Sequence, residues 1–354
     1  MKLNKKSDTN HKTFSLFVIY YSTFTNLVPT LGPGAEVNRT FFCMIFTALF
    51  LFLGAQPASS FSPQAIPAKA CIVVDDNDSV LYAKNPSAKL PPASTVKLVT
   101  AMVALDRLDP STPVKVSRVA AAVRSIKPRL MTDDEMTVSD LLHLALMQSI
   151  NSAAVALAET AAGSEDAFVE LMNQKAKEIG ANNTRFVTAS GLPKGRQYTT
   201  VRDLTIILKR ALTYPLIKEI IGKKEWLIKT AAGRALYLEN TDDLLWSRSN
   251  MVGGKTGFTL NARHCFVGAM DTGKGLIFTA VLGARSRSRL WQSTVMLADF
   301  GKNSQPVDSF DEPSVEDQSL RFILTPFPER GDSYSAGIAL TSFSSLPSLQ
   351  QLLK

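Results

Sequence analysis

Gly254-Lys255-Thr256-Gly257-Phe258-Thr259, Cys265-Phe266-Val267-Gly268-Ala269-Met270 and Leu276-Ile277-Phe278-Thr279-Ala280-Val281-Leu282 follow one another across short connections. Such spacing leaves no room for a helical crossover, so the three runs predict an antiparallel sheet. Trp226–Lys229 and Ala235–Leu238 read as further short strands before them. Near the other end, Lys69–Asp75 and Val80–Ala83 flank the turn residues Asp75-Asp76-Asn77-Asp78 and predict a hairpin. Between these groups the periodicity is helical over Ser94–Leu108, Ser139–Gln148, Ala153–Thr160, Glu165–Ile179 and Asp203–Leu212. Ser286–Phe300 closes as a helix. Strands at both ends with helices inserted between them predict an α/β (α+β) body plus an all-helical subdomain.

The 354 residues are 45% hydrophobic and 20% charged, enough apolar material for a sizeable core. The net charge of +8 is unevenly placed: +3 over residues 1–60, +9 over 61–302 and −4 over 303–354. A basic body suits an anionic polymer, carboxylate-bearing peptides or a membrane surface, and a general solubility charge accounts for it equally. No basic run or nucleic-acid signature is present. Phe41–Leu53 is apolar but short for a membrane span; Arg39 precedes it, and Gly54-Ala55-Gln56-Pro57-Ala58-Ser59-Ser60 follows. That order predicts a secretory signal peptide over 37–60, cleaved after Ser60. Translation is expected to start at Val37, leaving residues 1–36 as an upstream extension. From Asn303 onward the chain is rich in Pro, Ser and acidic residues, and a mostly disordered tail is expected. Cys71 and Cys265 fall in apolar strand-like runs and read as two buried thiols rather than a disulfide. Nothing has zinc-ligand spacing, and no cofactor is called for.

Three short patterns carry chemistry. Ser94-Thr95-Val96-Lys97 places a hydroxyl and an amine on one face at a helix start. Near that end, backbone N–H groups and the dipole favour a developing oxyanion. A desolvated Lys97 would accept the serine proton. Ser149-Ile150-Asn151 falls at a helix junction, where a hydroxyl relays a proton and an amide holds a carbonyl. Lys255-Thr256-Gly257 sits on a strand edge, offering a positive charge and close backbone approach. Each pattern alone also has a structural reading: a capping serine with a solvated lysine, a second cap, and an edge lysine that blocks aggregation. Their joint occurrence, in order, favours an acyl-transfer site that works without histidine or metal.

With these motifs the sequence resembles the low-molecular-mass penicillin-binding proteins, the D-alanyl-D-alanine carboxypeptidases, from about Ala68 to Gly301. The resemblance includes Pro91–Lys97, Leu141–Glu159, Phe168–Thr184, Phe186 through Gly191-Leu192, Tyr198–Leu204 and Leu244–Thr259. It implies a fold like that of class A β-lactamases, with a five-stranded antiparallel sheet flanked by helices and an active site beside the helical region. It further implies that Ser94 attacks the bond between two terminal D-alanines of a peptidoglycan pentapeptide stem, with Lys97 as base. Ser149 and Asn151 would complete proton transfer and substrate binding. Lys255 would stabilise charge, Thr256 would help to hold the terminal carboxylate, Gly257 would admit the substrate backbone, and the N–H groups of Ser94 and Phe258 would form an oxyanion hole. β-Lactam antibiotics would mimic the substrate.

Some positions depart from the family pattern. Ile150 and Ser152 are expected to narrow the cleft, and Asn240-Thr241-Asp242 stands where some members carry an arginine for the carboxylate. Arg248 and Arg263 are the basic candidates left for that task. His143 and His264 have no evident triad partners and read as structural, and Trp246 reads as core. D,D-endopeptidase action on cross-links is a close alternative. β-Lactamase activity would need a dedicated base to activate water, and a non-catalytic wall-binding module would not need all these groups. The implied location is the periplasm or the outer face of the cytoplasmic membrane, with association at the membrane surface an open expectation and no nucleic-acid partner.

Overall fold

The computed structural model describes residues 66–304, so the expected signal peptide and nearly all of the expected tail lie outside the described residues. The chain begins with β1 (Ala70–Asp75) and β2 (Val80–Lys84), then a 3-10 turn (Ala93–Val96) running directly into α1 (Lys97–Leu105). A small excursion follows: β3 (Pro113–Lys115), α2 (Arg118–Ala122) and β4 (Glu135–Thr137). The helical region comprises α3 (Val138–Leu146), α4 (Asn151–Ala162), α5 (Glu165–Glu178), α6 (Val201–Ala211) and α7 (Pro215–Gly222). Next come β5 (Glu225–Lys229), β6 (Ala235–Glu239), the single turn α8 (Leu244–Ser247), β7 (Met251–Thr259), β8 (Arg263–Asp271), β9 (Leu276–Ala284) and the closing helix α9 (Arg287–Asn303).

Five strands form one sheet in the order β2-β1-β9-β8-β7, with every neighbour antiparallel. This is the sheet that the resemblance implies. β5 and β6 pair only with each other, outside that sheet, and β3 pairs with β4. Alternation along β1 explains why its sequence is apolar throughout. Ile72 and Val74 join the core shared with the helical region, while Cys71 and Val73 join the core beneath α9. A strand covered on both faces has no polar side to show. Each such Val or Ile, fully buried, contributes about 1.5–3 kcal/mol of transfer free energy.

Helix starts follow local chemistry. Thr137 and Asp140 form a reciprocal capping box on α3. Ser164 caps α5, Thr200 caps α6 and Ser286 caps α9, each side chain accepting an N–H of the first turn. Pro215 opens α7, where its missing N–H costs nothing. Cys71 and Cys265 are buried free thiols, each pushed up to about 12 by burial. Trp246 departs from the core reading: it is 42% exposed on α8, whereas Leu244 and Leu245 beside it are buried.

Gly254 of β7 pairs with Gly268 of β8, and the ring of Phe266 lies over both. Trp291 of α9 meets that ring edge-on, 4.9 Å between centroids. A Cβ added at Gly268 would lie 2.5 Å from the Phe266 ring, so Gly268→Ala overpacks the strand pair. We expect a loss of about 1–3 kcal/mol in denaturant unfolding; an unchanged midpoint would show that the ring moves freely.

Candidate active site

The 3-10 turn holds Ser94 between two backbone segments that come very near it. Gly191 has φ +82°, and a Cβ there would fall 2.0 Å from the Ala93 carbonyl oxygen. On the opposite side, a Cβ on Gly257 would fall 2.9 Å from the Ser94 nitrogen. Glycine is therefore required at both positions by space, and at Gly191 by backbone angle as well. Ala93 itself sits at φ +50°, a conformation that a non-glycine residue adopts at some cost. This tight packing fixes the Ser94 backbone before any ligand arrives.

Lys97, three residues on, is the first residue of α1 and is fully buried. Its Nζ lies 2.8 Å from Ser94 Oγ, 2.7 Å from Asn151 Oδ1 and 2.7 Å from the Ser190 carbonyl oxygen. Burial, and secondarily the charge of Lys255, hold its pKa well below the usual lysine value. A neutral amine has two N–H donors and one lone pair. Asn151 Oδ1 and the Ser190 carbonyl can only accept, so they take the two donors. The lone pair is left for the Ser94 hydroxyl, the geometry of a base before proton abstraction.

Asn151 opens α4, and its side chain is engaged at both ends. Oδ1 accepts from Lys97, and Nδ2 donates to the Arg124 carbonyl at 2.7 Å, leaving one amide N–H for another acceptor. Ser149 precedes α4 in a left-handed conformation, φ +62°, half-buried, with no hydrogen-bond partner among the described residues. Ile150 and Ser152 do not narrow the cleft as expected. Ile150 is wholly buried in the core, and buried Ser152 uses its N–H to hold Ser125 Oγ at 2.8 Å.

β7 forms the facing wall and is an edge strand, as the lysine motif implied. Lys255, however, is fully buried rather than an exposed cation. Its Nζ donates to the Thr256 carbonyl at 3.0 Å. Burial pulls its pKa down to about 7, opposed by the charge of Asp242. Asp242 is itself buried, pushed up to about 7 by desolvation. Its Oδ1 accepts from the Leu244 N–H, and Oδ2 has no partner among the described residues. Thr256 Oγ1 lies 2.5 Å from Thr241 Oγ1, and exposed Phe258 packs its ring on His264 at 4.5 Å.

The structure thus gathers Ser94, Lys97 and Asn151 into direct contact and sets Gly257 against the Ser94 backbone. Three participants had no readable signal or went unread. The carbonyls of Ser190 and Arg124 are backbone groups, and nothing in the side chains of their residues marks them. Asp242 belongs to no motif, and its proximity to Lys255 comes only from the fold. Of the basic candidates, Arg248 is tied bidentately to Asp299, and Arg263 sits exposed at the β7–β8 turn. Arg287 is tied to Asp243. Arg285, just past β9, is exposed and has no acidic partner among the described residues. His143 is structural: Nδ1 lies 2.8 Å from the Ser139 carbonyl, and the ring stacks on Trp226.

The model of the family described as D-alanyl-D-alanine carboxypeptidase, peptidase S11, matches residues 57–286. The chain belongs to that family. It is 34% identical to a D-alanyl-D-alanine carboxypeptidase, DacF, of Bacillus subtilis, over 67% of this chain and 62% of that protein. It is 36% identical to a D-alanyl-D-alanine endopeptidase of Pseudomonas aeruginosa, over 67% of this chain and 80% of that one. Among solved structures, a D-alanyl-D-alanine carboxypeptidase of Mycobacterium tuberculosis superposes with a TM-score of 0.66 at 31% identity. That match covers 71% of this chain and 97% of the other. A penicillin-binding protein D2 of Listeria monocytogenes, in its ampicillin-bound form, superposes with a TM-score of 0.59 at 30% identity, covering 67% and 98%. The five-stranded sheet with its helical region is the fold of these peptidases.

With its pKa near 7, Lys255 is a cation below neutrality and loses its charge above it. KM for a peptide ending in a carboxylate should therefore rise as pH climbs through about 7. Asp242→Asn removes a charge that raises the lysine's pKa, so the rise should move to lower pH. Steady-state KM measured across neutrality in both proteins checks this, and identical flat profiles would refute it.

Proposed function

We propose that this chain is a serine D-Ala-D-Ala carboxypeptidase that removes the terminal D-alanine from peptidoglycan pentapeptide stems. The observation that carries the proposal is the buried Lys97 amine, 2.8 Å from Ser94 Oγ and held by two groups that can only accept, Asn151 Oδ1 and the Ser190 carbonyl. Ser94 Oγ attacks the carbonyl carbon of the penultimate D-alanine while its proton passes to Lys97. The oxyanion is met by backbone N–H groups of Ser94 and Phe258, which the close packing of β7 on the 3-10 turn supports. The proton then moves from Lys97, with Ser149 as relay, to the departing D-alanine nitrogen as the C–N bond breaks. Water cleaves the resulting ester, returning Ser94 and the shortened peptide.

The departing residue carries a carboxylate. Lys255 and Thr256 supply its wall of the cleft, and Arg285 is an exposed cation with no acidic partner among the described residues at the same end of the sheet: it follows Ala284, whose register partner His264 packs on Phe258. β-Lactams enter by the same chemistry. No carboxylate is hydrogen-bonded to Ser94, Lys97 or Asn151 among the described residues, which favours a long-lived penicilloyl ester over β-lactamase turnover. Action on peptide cross-links is the second reading, favoured by the 36% identity to a relative named as an endopeptidase. The sequence of residues 37–60 supports export, hence work outside the cytoplasmic membrane.

Fluorescent penicillin should label the protein stably, and a peptide ending in D-Ala-D-Ala should release alanine. Ser94→Ala and Lys97→Arg should each abolish labelling, the second because a guanidinium stays protonated and cannot act as base. Labelling retained in Ser94→Ala would sink the assignment. Arg285→Ala should raise KM for the peptide about tenfold with kcat nearly unchanged, the loss of one charge-assisted contact. An unchanged KM would remove Arg285 from the carboxylate site.

A further inference from the structure

From Ser111 to Thr132 the chain contains Lys115, Arg118, Arg124, Lys127 and Arg129 and no acidic residue. Lys115 pairs with Asp133. The side chains of the other four are exposed and have no hydrogen bond or ion pair among the described residues. Four like charges on one short segment repel each other, a cost that an anionic ligand would relieve. Ile126 and Met131 stand exposed among them, offering apolar contact between the charges.

The segment is fixed and joined to the reacting groups. The Arg124 carbonyl accepts from Asn151 Nδ2, so only that amide separates the segment from the Lys97 amine. Ser125 Oγ accepts from the Ser152 N–H, and the Arg129 carbonyl accepts from Arg234 at 3.1 Å. Arg234 is in turn paired with Asp134, and Leu130 is buried. The strip therefore lies along α4, from Asn151, which donates to the Arg124 carbonyl, to Glu159, whose Oε2 accepts from Ser117 Oγ.

We propose that Arg118, Arg124, Lys127 and Arg129 form a subsite for an acidic peptide strand, namely the part of the substrate upstream of the D-Ala-D-Ala bond that carries free carboxylates. The inference rests on the carboxypeptidase reading and adds to it a charge preference away from the scissile bond. A basic strip with apolar residues also suits an anionic membrane. Its hydrogen-bonded attachment to Asn151 favours a ligand that reaches the catalytic amine.

The test uses the full chain and two peptides: diacetyl-lysyl-D-Ala-D-Ala, and the same peptide extended at its amino end by two glutamates. At low salt kcat/KM should be about tenfold higher for the acidic peptide, the sum of several exposed charge pairs. The preference should fall away at high salt. The triple variant Arg118→Ala/Lys127→Ala/Arg129→Ala should lose the preference while retaining penicillin labelling and turnover of the short peptide. A native protein without preference, or a variant that keeps it, overturns the subsite. So does a variant whose peptide preference is intact but whose sedimentation with phosphatidylglycerol vesicles is lost, which would assign the strip to a membrane. Calorimetric binding of both peptides to Ser94→Ala reads the preference without turnover, so failure of the strip and failure of the catalytic centre give different results.

Discussion

Everything at this site depends on keeping one lysine dry. An amine exposed to water at neutral pH is protonated and useless as a base. Lys97 escapes that fate because the first turn of α1 is packed under the 3-10 turn, against Ser190 and Asn151. Burial disfavours the charge, and the two acceptors orient the amine. The elements around Lys97 can be read as devices for this purpose. Gly191 permits the Ser190 segment to lie against Ala93, and α4 begins at the residue whose amide oxygen is needed.

The same principle extends to the second lysine, with a different balance. Lys255 is as buried as Lys97 but has an acidic neighbour, Asp242, that partly restores its preference for charge. Burial weighs on both lysines, and only Lys255 has a carboxylate to oppose it, the difference that the proposed roles of base and anion partner require. Each cation near the other is a cost, and the charge of Lys255 is the second reason, after burial, that the Lys97 pKa is held down. The two walls, helical and sheet, thus communicate through charge across a cleft whose floor is the Ser94 backbone.

Much of this was legible in the sequence. Short runs across short connections marked β1, β7, β8 and β9, and helical periodicity marked α1, α3, α4, α5 and α6. Ser94, Lys97 and Asn151 were chosen together and meet together. What was hidden depended on surroundings that a motif does not encode. The 3-10 start of the Ser94 helix follows from close backbone contacts far apart in sequence. β5 and β6 read as strands but not as a separate ribbon, because pairing partners are a tertiary choice. Lys255 looked like an exposed edge cation, since its burial comes from what covers the edge of β7. Trp246 is apolar in type, yet its helix of one turn turns it outward.

The two cysteines have a further consequence. Cys71 and Cys265 lie in different strands, on opposite sides of the sheet, each enclosed by apolar neighbours and each far from its thiolate form. No crosslink contributes to the stability of the described fold, and neither sulfur is a ready nucleophile for oxidants. The folded domain is therefore indifferent to redox conditions. It reaches its working state with no oxidising catalyst, no disulfide to isomerise and no reductant to fear, wherever the chain folds.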